Sequence, residues 1–407
     1  MDAAGKARSH RERGDIMGYD APFAGLRVVD ISQGVSGPYA GMLMAQYGAD
    51  VVKVEPLEGE WGRFISRDYD KHSAFSVVTN LGKRSVALNL KCEEGKDAVR
   101  RLLEDADVFI ENFRPGVTNR LGFSYEEVSK ISPKAIYLSI SGFGNAGPLR
   151  ERPAMDPVLQ AFCGLMSVNQ GEDGIPHRIG VVICDMATAL YGFQALTTAL
   201  YARRDEEKGC LIETNLMQGA VCLGAIRMMM VNLEQGAYVV GRVPAGVFEA
   251  KDGYITILMY KDDEFPKLCE LLGLPLIGAD PQYATNAQRV EHEAEIMPLI
   301  CDAFKLHGCK ALSEKLTEAR ILHERVNNYV EFLDHPQVQE TGLVSWLDHA
   351  GVGRVPVPNV PGLKPFDACG DKASSPGVGE HSREVLSDLG YTSEQIDDFA
   401  ARKITLA

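Results

Sequence analysis

The chain lacks any apolar run long enough to cross a bilayer. Its strongest stretch, residues 187–202, is interrupted by Thr188, Gln194, Thr197 and Thr198, whereas a spanning helix needs roughly 20 mostly apolar residues. No membrane partner is therefore expected. The nine cysteines include no CxxC pair. An odd number without framework spacing reads as reduced thiols in a cytoplasmic setting, not as a disulfide scaffold. Cys301 and Cys309 flank His307, but they lack zinc-knuckle spacing, so no metal is expected. Positive charge is scarce as well. Lys and Arg number 42 against 56 Asp and Glu, a net −14, which argues against a nucleic-acid surface but leaves room for a local basic pocket. There is no Gly-x-Ser-x-Gly, so a serine hydrolase elbow is not expected. No internal repeat or low-complexity block is present. The first 17 residues are polar with no apolar h-region, and they read as a disordered tail, not a secretory signal.

What the first half does contain is strand and helix in alternation. Residues 26–31 (LRVVDI) read as a buried strand. A small-residue turn follows, Pro38 suits the first position of a helix running to about Gln46, and Gly48 ends it. Residues 51–55, 85–90, 108–112 and 135–140 read as further strands, with an amphipathic helix over 93–104. Such alternation predicts a parallel sheet covered on both faces, with ligands at the carboxyl ends of its strands. The fold class expected is α/β: an open, Rossmann-like parallel sheet forms a large domain built from N- and C-terminal parts, beside a smaller α+β domain. A chain of 407 residues is too long for one ordinary core. The expected boundaries are 18–216 for the first part of the large domain, 217–241 for a linker and 242–325 for the small domain. Residues 326–407 are a linker and the return to the large domain. In that small domain 252–259 read as a hairpin arm, and helices are expected over 263–272 and 294–304. Two short acidic helices are expected within 382–401.

Three motifs carry the chemistry. Gly142-Phe143-Gly144-Asn145-Ala146-Gly147 spells GxGxxG after a strand, but Pro148, Pro153 and Pro157 follow. A dinucleotide fingerprint needs a long helix opening there, so this is a glycine-rich turn. Lys83-Arg84, Lys91, Arg114 and Arg120 are each ordinary surface charges alone; together they could line a groove for phosphates. In RIGVVICDM, Arg178 to Met186, a β-branched run over 179–183 stops at Cys184-Asp185 and an apolar helical pattern follows. Asp185 then sits at a strand-to-helix junction. It is either a helix cap or a nucleophile at the sheet edge, and spacing favours the cap. His381, after Gly379-Glu380, reads as the start of a helix and not as a catalyst.

Gly25-Leu26-Arg27-Val28-Val29-Asp30 with Gly37-Pro38, Gly48-Ala49-Asp50-Val51-Val52-Lys53-Val54-Glu55, Lys83-Arg84-Ser85, Glu111-Asn112-Phe113-Arg114-Pro115-Gly116, Arg120-Leu121-Gly122-Phe123 and Gly379-Glu380-His381 occur in this order around Asp185. In these residues the chain resembles the family III coenzyme A transferases. The resemblance implies that Asp185 is the catalytic nucleophile. It would carry CoA from an acyl-CoA to a free carboxylic acid through mixed anhydrides and an aspartyl-CoA thioester. Amides at the helix start near Asp185 would then stabilise a tetrahedral intermediate. The family's CoA contacts carry over to Val35, Ser36, Leu88, Lys91, Asn112, Arg114, Val117, Arg120, Leu121 and Met155. Lys91 and Arg120 would take phosphates. Gln33 would face the acyl group, and Asp156 is a secondary catalytic candidate. The resemblance implies no permanent cofactor, CoA thioesters as substrates, and an interlocked homodimer.

Two departures stand out. The four-glycine run of formyl-CoA transferases is replaced by Val243-Pro244-Ala245-Gly246-Val247, and Pro56 replaces a CoA-contacting arginine, for which Arg63 could substitute. The missing glycine lid argues against oxalate specificity and motivates succinyl-CoA as the expected donor. The related 2-methylacyl-CoA racemases pair the aspartate with a histidine about thirty residues earlier. Here that position is Met155, and a thioether cannot move a proton. A CoA-binding protein without catalysis is the alternative from another class, and Asp185 argues against it.

Overall fold

The computed structural model describes residues 20–171, 174–206, 208–236, 241–368 and 370–407. They form two compact units: the chain up to Ile226 together with Thr341–Ala407, and Arg227–Glu340.

Six strands build the main sheet of the first unit: β1 (Arg27–Asp30), β2 (Asp50–Glu55), β3 (Arg84–Ala87), β4 (Val108–Glu111), β5 (Ile136–Ser141) and β6 (Leu211–Asn215). They are hydrogen-bonded in the order β3-β2-β1-β4-β5-β6, every pair parallel. Val29 lies opposite Val52 on one side and Phe109 on the other. Strand order therefore reverses between β1 and β4. The crevice outside the carboxyl ends of those two strands is where such a sheet receives ligands.

Apolar runs make these strands because both faces are covered. Successive side chains alternate between two cores. Val29, Val52, Val86, Phe109 and Tyr137 form one with Ala98, Val99 and Leu103. Val28, Val51, Val108, Ile136 and Leu138 form the other with Ala40, Met44, Cys184 and Leu196. The covering helices are α1 (Ser36–Gln46), α2 (Glu93–Glu104), α3 (Asp156–Phe162) and α4 (Ile183–Ala202). Helix α1 opens two residues before Pro38. The first turn has no use for amide donors, so proline is accepted there.

Two local expectations fail. Residues 179–182 form no strand; they are coil, and α4 begins at Ile183. The open edge of β5 is taken by β6, while the 179–181 backbone is bound to the Gln160 side chain instead. Asp185 is thus the third residue of a helix, not the end of a strand.

In the second unit, β7 (Ala245–Ala250), β8 (Gly253–Leu258) and β9 (Leu322–Arg325) make an antiparallel sheet. Helices Glu264–Leu271, Glu293–Phe304 and Cys309–Glu318 cover it. Phe248 stacks on Phe304 with ring centroids 4.4 Å apart at its core. The last stretch belongs to the first unit. There β10 (Val344–His349) pairs with β11 (Gly353–Pro358). Helices Ser382–Asp388 and Ser393–Ala401 add Val385, Leu386, Ile396 and Phe399 to the core around Val29 and Phe109. His381 caps the first of these helices and accepts the Ser85 amide on Nδ1 at 3.3 Å.

Candidate active site

A buried ionic scaffold lies under the switch point. Asp30 is flanked by Lys83 Nζ at 2.8 Å and Lys53 Nζ at 3.7 Å, all fully buried. Burial alone would raise the Asp30 carboxyl, but the two ammonium groups hold it below the ordinary carboxylate range. Burial pushes Lys83 down to about 8, against the attraction of Asp30. Lys83 Nζ also donates to Pro38 O at 2.7 Å and Asn80 Oδ1 at 2.9 Å, and Lys53 Nζ donates to Ser32 O. Both lysines are spent on the β1–α1 connection, so Lys83 is no phosphate ligand. Arg84 pairs with Asp50, Glu384 and Asp388, which withdraws it from the phosphate groove too. Arg63 is buried and clasps Glu55 through two bonds of 2.7 Å, so it cannot stand in for a CoA-contacting arginine.

On this base sits the turn over residues 32–35. Asn112 Oδ1 accepts the Gln33 amide at 2.7 Å and its Nδ2 donates to Gln33 O at 2.6 Å. That two-way clamp ties the ends of β1 and β4 together. Glu60 Oε2 accepts the amides of Gly34 and Gly62, each at 2.7 Å. Gly34 has φ +83°, and a Cβ there would stand 2.1 Å from Trp61 Cζ2. Only glycine satisfies both the left-handed backbone and the indole pressed on it.

The turn borders a cleft of about 410 Å³ lined by Gln33, Glu58, Leu88, Lys91, Phe113 and Leu121 among others. Three residues expected at CoA, namely Leu88, Lys91 and Leu121, are brought together there with Gln33, expected at the acyl group. Val117 and Arg120 lie on the same short helix as Leu121, and Asn112 holds the turn itself. Arg114 is not with them. It lines a separate polar cleft with Glu111, Glu126 and Glu213. Burial pushes Glu111 up to about 7, opposed by hydrogen bonds from Ser139 and the Phe113 amide. Val35 is buried and precedes α1; its side chain offers a ligand little surface.

Asp185 lies in the first turn of α4, half-buried. Its neighbour across the crevice is Ser36, the first residue of α1, which favours the charged carboxylate. Burial and the nearby Asp156 carboxylate outweigh that contact and push Asp185 up to about 7. The cap of α4 is another residue. Val182 at the N-cap has no side-chain oxygen. Asp156 Oδ2, arriving from α3, accepts the amides of Cys184 at 2.7 Å and Asp185 at 3.1 Å. The amides expected to stabilise a tetrahedral intermediate are thus engaged with Asp156, and Asp156, a secondary catalytic candidate from the sequence, is a buried cap of α4. Met155, half exposed, immediately precedes α3. Gln160, Glu60 and Trp61 escaped the sequence reading. A helix that opens on Val182 had one available signal, because its amides must find a remote acceptor.

The chain is 31% identical over 380 residues to the succinyl-CoA:glutarate CoA-transferase of Mus musculus, covering 90% of this chain and 86% of that one. It is 32% identical over 390 residues to the succinate–glutarate CoA-transferase of Agrobacterium fabrum, covering 92% and 97%. A CaiB/BaiF family protein of known structure from Brucella suis superposes with a TM-score of 0.81 at 31% identity, covering 91% of this chain and 100% of that one. The model of CoA-transferase family III matches residues 23–382, and the chain belongs to that family.

Proposed function

We propose that this CoA-transferase takes CoA from succinyl-CoA and delivers it to a second dicarboxylic acid, with Asp185 as the nucleophile. The arrangement of a single turn carries the reading. Gln33, at one end, lines the cleft with Lys91; Ser36, at the other, stands against Asp185. A thioester whose CoA lies along the cleft would present its carbonyl at the carboxylate. The relatives named above are a succinyl-CoA:glutarate and a succinate–glutarate CoA-transferase.

In this mechanism an Asp185 oxygen attacks the thioester carbonyl. The C–S bond breaks, leaving a mixed anhydride and CoA thiolate. The thiolate attacks the Asp185 carbonyl and expels succinate, forming aspartyl-CoA thioester. The acceptor carboxylate attacks that thioester, giving a second anhydride and thiolate again. Attack of the thiolate on the acceptor's acyl carbon releases the new acyl-CoA and restores Asp185. No proton or electron is gained or lost overall, and acyl energy is kept in covalent linkages. Lys91 and Arg120 meet the CoA phosphates; neither is ion-paired among the described residues. A second copy of the chain covers the exposed apolar residues Val158, Phe162, Leu190 and Tyr191 of α3 and α4.

Peptide mass spectrometry after incubation with succinyl-CoA and no acceptor tests the chemistry. A CoA or succinyl adduct on the Asp185 peptide, removed by hydroxylamine, is expected. Rapid transfer without an adduct from any acyl-CoA would overturn the covalent route. Lys91→Ala is expected to raise KM for succinyl-CoA about fivefold and leave kcat within twofold, the loss of one charge-assisted phosphate contact. An unchanged KM removes Lys91 from the phosphate site. The nucleophile must be ionised, and Asp185 titrates near 7. kcat/KM is therefore expected to rise with pH through about 7 and to be about 100-fold lower at pH 5 than on its plateau. A flat profile between pH 5 and 8 would contradict it.

A further inference from the structure

Nothing in the mechanism above uses Gln160, yet its side chain is among the most engaged polar groups near the site. It is 1% exposed. Its Nε2 donates to Asp156 Oδ1 at 2.6 Å and to the carbonyls of Val181 at 3.2 Å and Ile179 at 3.4 Å. Its Oε1 accepts the Ile179 amide at 2.8 Å. One carboxamide thus joins three pieces of chain: its own helix α3, the coil over 179–181, and, through Asp156, the start of α4. No ion pair reaches Asp156 among the described residues. Its carboxylate is held by two helix amides on one oxygen and by Gln160 on the other.

We infer that Gln160 is a positioning residue for CoA transfer: its buried amide fixes the Asp156 carboxylate on the amides that open α4, and so sets where the Asp185 carboxylate stands. The inference rests on Asp185 being the nucleophile. The logic follows from the missing local cap. Val182 cannot orient the first turn of α4, so the turn takes its orientation from Asp156, and Asp156 can rotate unless its second oxygen is held. Glutamine suits the task because it donates to the carboxylate and accepts the Ile179 amide with one planar group. A carboxylate in its place would repel Asp156, and an apolar side chain would leave Asp156 and Ile179 unsatisfied.

Gln160 also bears on the titration of Asp185. The groups facing Asp185 are Ser36 from α1, Asp156 from α3 and the Cys184 thiol on its own helix. Of these, Asp156 is the charge that disfavours ionisation of Asp185. Without the Gln160 donor the Asp156 carboxylate is free to swing off the amides that open α4, which weakens its repulsion of Asp185 and moves the Asp185 midpoint toward acid.

The test compares the full-length protein with Gln160→Met, Asp156→Asn and the double variant. Aspartate carboxyls are labelled with 13C, and the Asp185 resonance is assigned by its loss in Asp185→Asn. Its titration and the kcat/KM profile for succinyl-CoA are then measured together. Gln160→Met is expected to lower kcat about tenfold with KM unchanged and to move the Asp185 titration toward acid. Asp156→Asn moves it the same way, and the double variant moves it no further than Asp156→Asn alone. An unmoved titration in Gln160→Met, or shifts that simply add in the double variant, would overturn the inference. A titration that moves while the activity profile stays put would instead overturn the nucleophile reading and leave Gln160 its role. If Gln160→Met does not fold, Gln160→Asn keeps the amide and loses only its reach. It should shift the titration in the same direction, and no shift there would also overturn the inference.

Discussion

Asp185→Asn is expected to fold as the wild type does and to lose transfer by at least about 1,000-fold. Asparagine has the same shape, so Ser36 keeps its neighbour and the Asp185 backbone amide still binds Asp156 Oδ2. What disappears is the proposed nucleophile. A carboxamide oxygen does not form a stable anhydride with an acyl group, and no other carboxylate takes over, because Asp156 is buried with its oxygens engaged. The stability readout separates the two readings of Asp185 left open by sequence spacing. A helix cap replaced by a poorer group costs about 1 kcal/mol. A half-buried carboxylate pushed up by burial and a second carboxylate is already destabilising in its charged form, and neutralising it gives a Tm equal to or above the wild type. Loss of transfer with undiminished Tm is the signature expected. Near-normal transfer would remove Asp185 from the chemistry.

The parts of this arrangement legible in the sequence are those encoded locally. Residues 26–31 and 51–55 are apolar runs bounded by small residues and glycine, and β1 and β2 stand there. The helix read over 93–104 is Glu93–Glu104 residue for residue, because its polar and apolar positions follow one period. Gln33, Leu88, Lys91 and Leu121, singled out by resemblance to family III residues, line one cleft. What failed depended on partners distant in the chain. The run over 179–183 is as β-branched as any strand here, yet β6 takes the place beside β5 and the Gln160 side chain binds the backbone of this run instead. Lys83 and Arg84 read as surface charges that could line a groove together with Lys91, Arg114 and Arg120, because two adjacent basic residues carry no sign of burial. Their fate was decided by Asp30 and by Asp50, Glu384 and Asp388, up to 304 positions away. The cap of α4 comes from 28 residues upstream of Cys184, and no local pattern announces it.

The second large effect is expected from Arg63→Met, which should destabilise the first unit by about 3–5 kcal/mol. Arg63 and Glu55 are both essentially excluded from solvent. The guanidinium covers both carboxylate oxygens and adds a bond to Pro376 O at 3.0 Å, which ties the returning C-terminal stretch to β2. Methionine fills much of the volume but leaves Glu55 charged and buried with only the Ser85 hydroxyl and the Glu60 amide as donors. That uncompensated charge, not a lost contact, is the source of the penalty. The double variant Glu55→Gln/Arg63→Met removes it and should recover most of the loss, since an apolar or neutral replacement of a buried ion pair is often close to neutral. Urea unfolding followed by tryptophan fluorescence can read this cleanly. The chain has two tryptophans, Trp61 and Trp346, and both lie in the first unit. The midpoint should fall sharply in Arg63→Met and return toward wild type in the double variant. A single variant within about 1 kcal/mol of wild type would mean that Glu55 had found another cation or a proton. Because Glu60 and the turn over 32–35 are anchored on the same scaffold, the destabilised protein should also bind succinyl-CoA more weakly at temperatures where it is still folded.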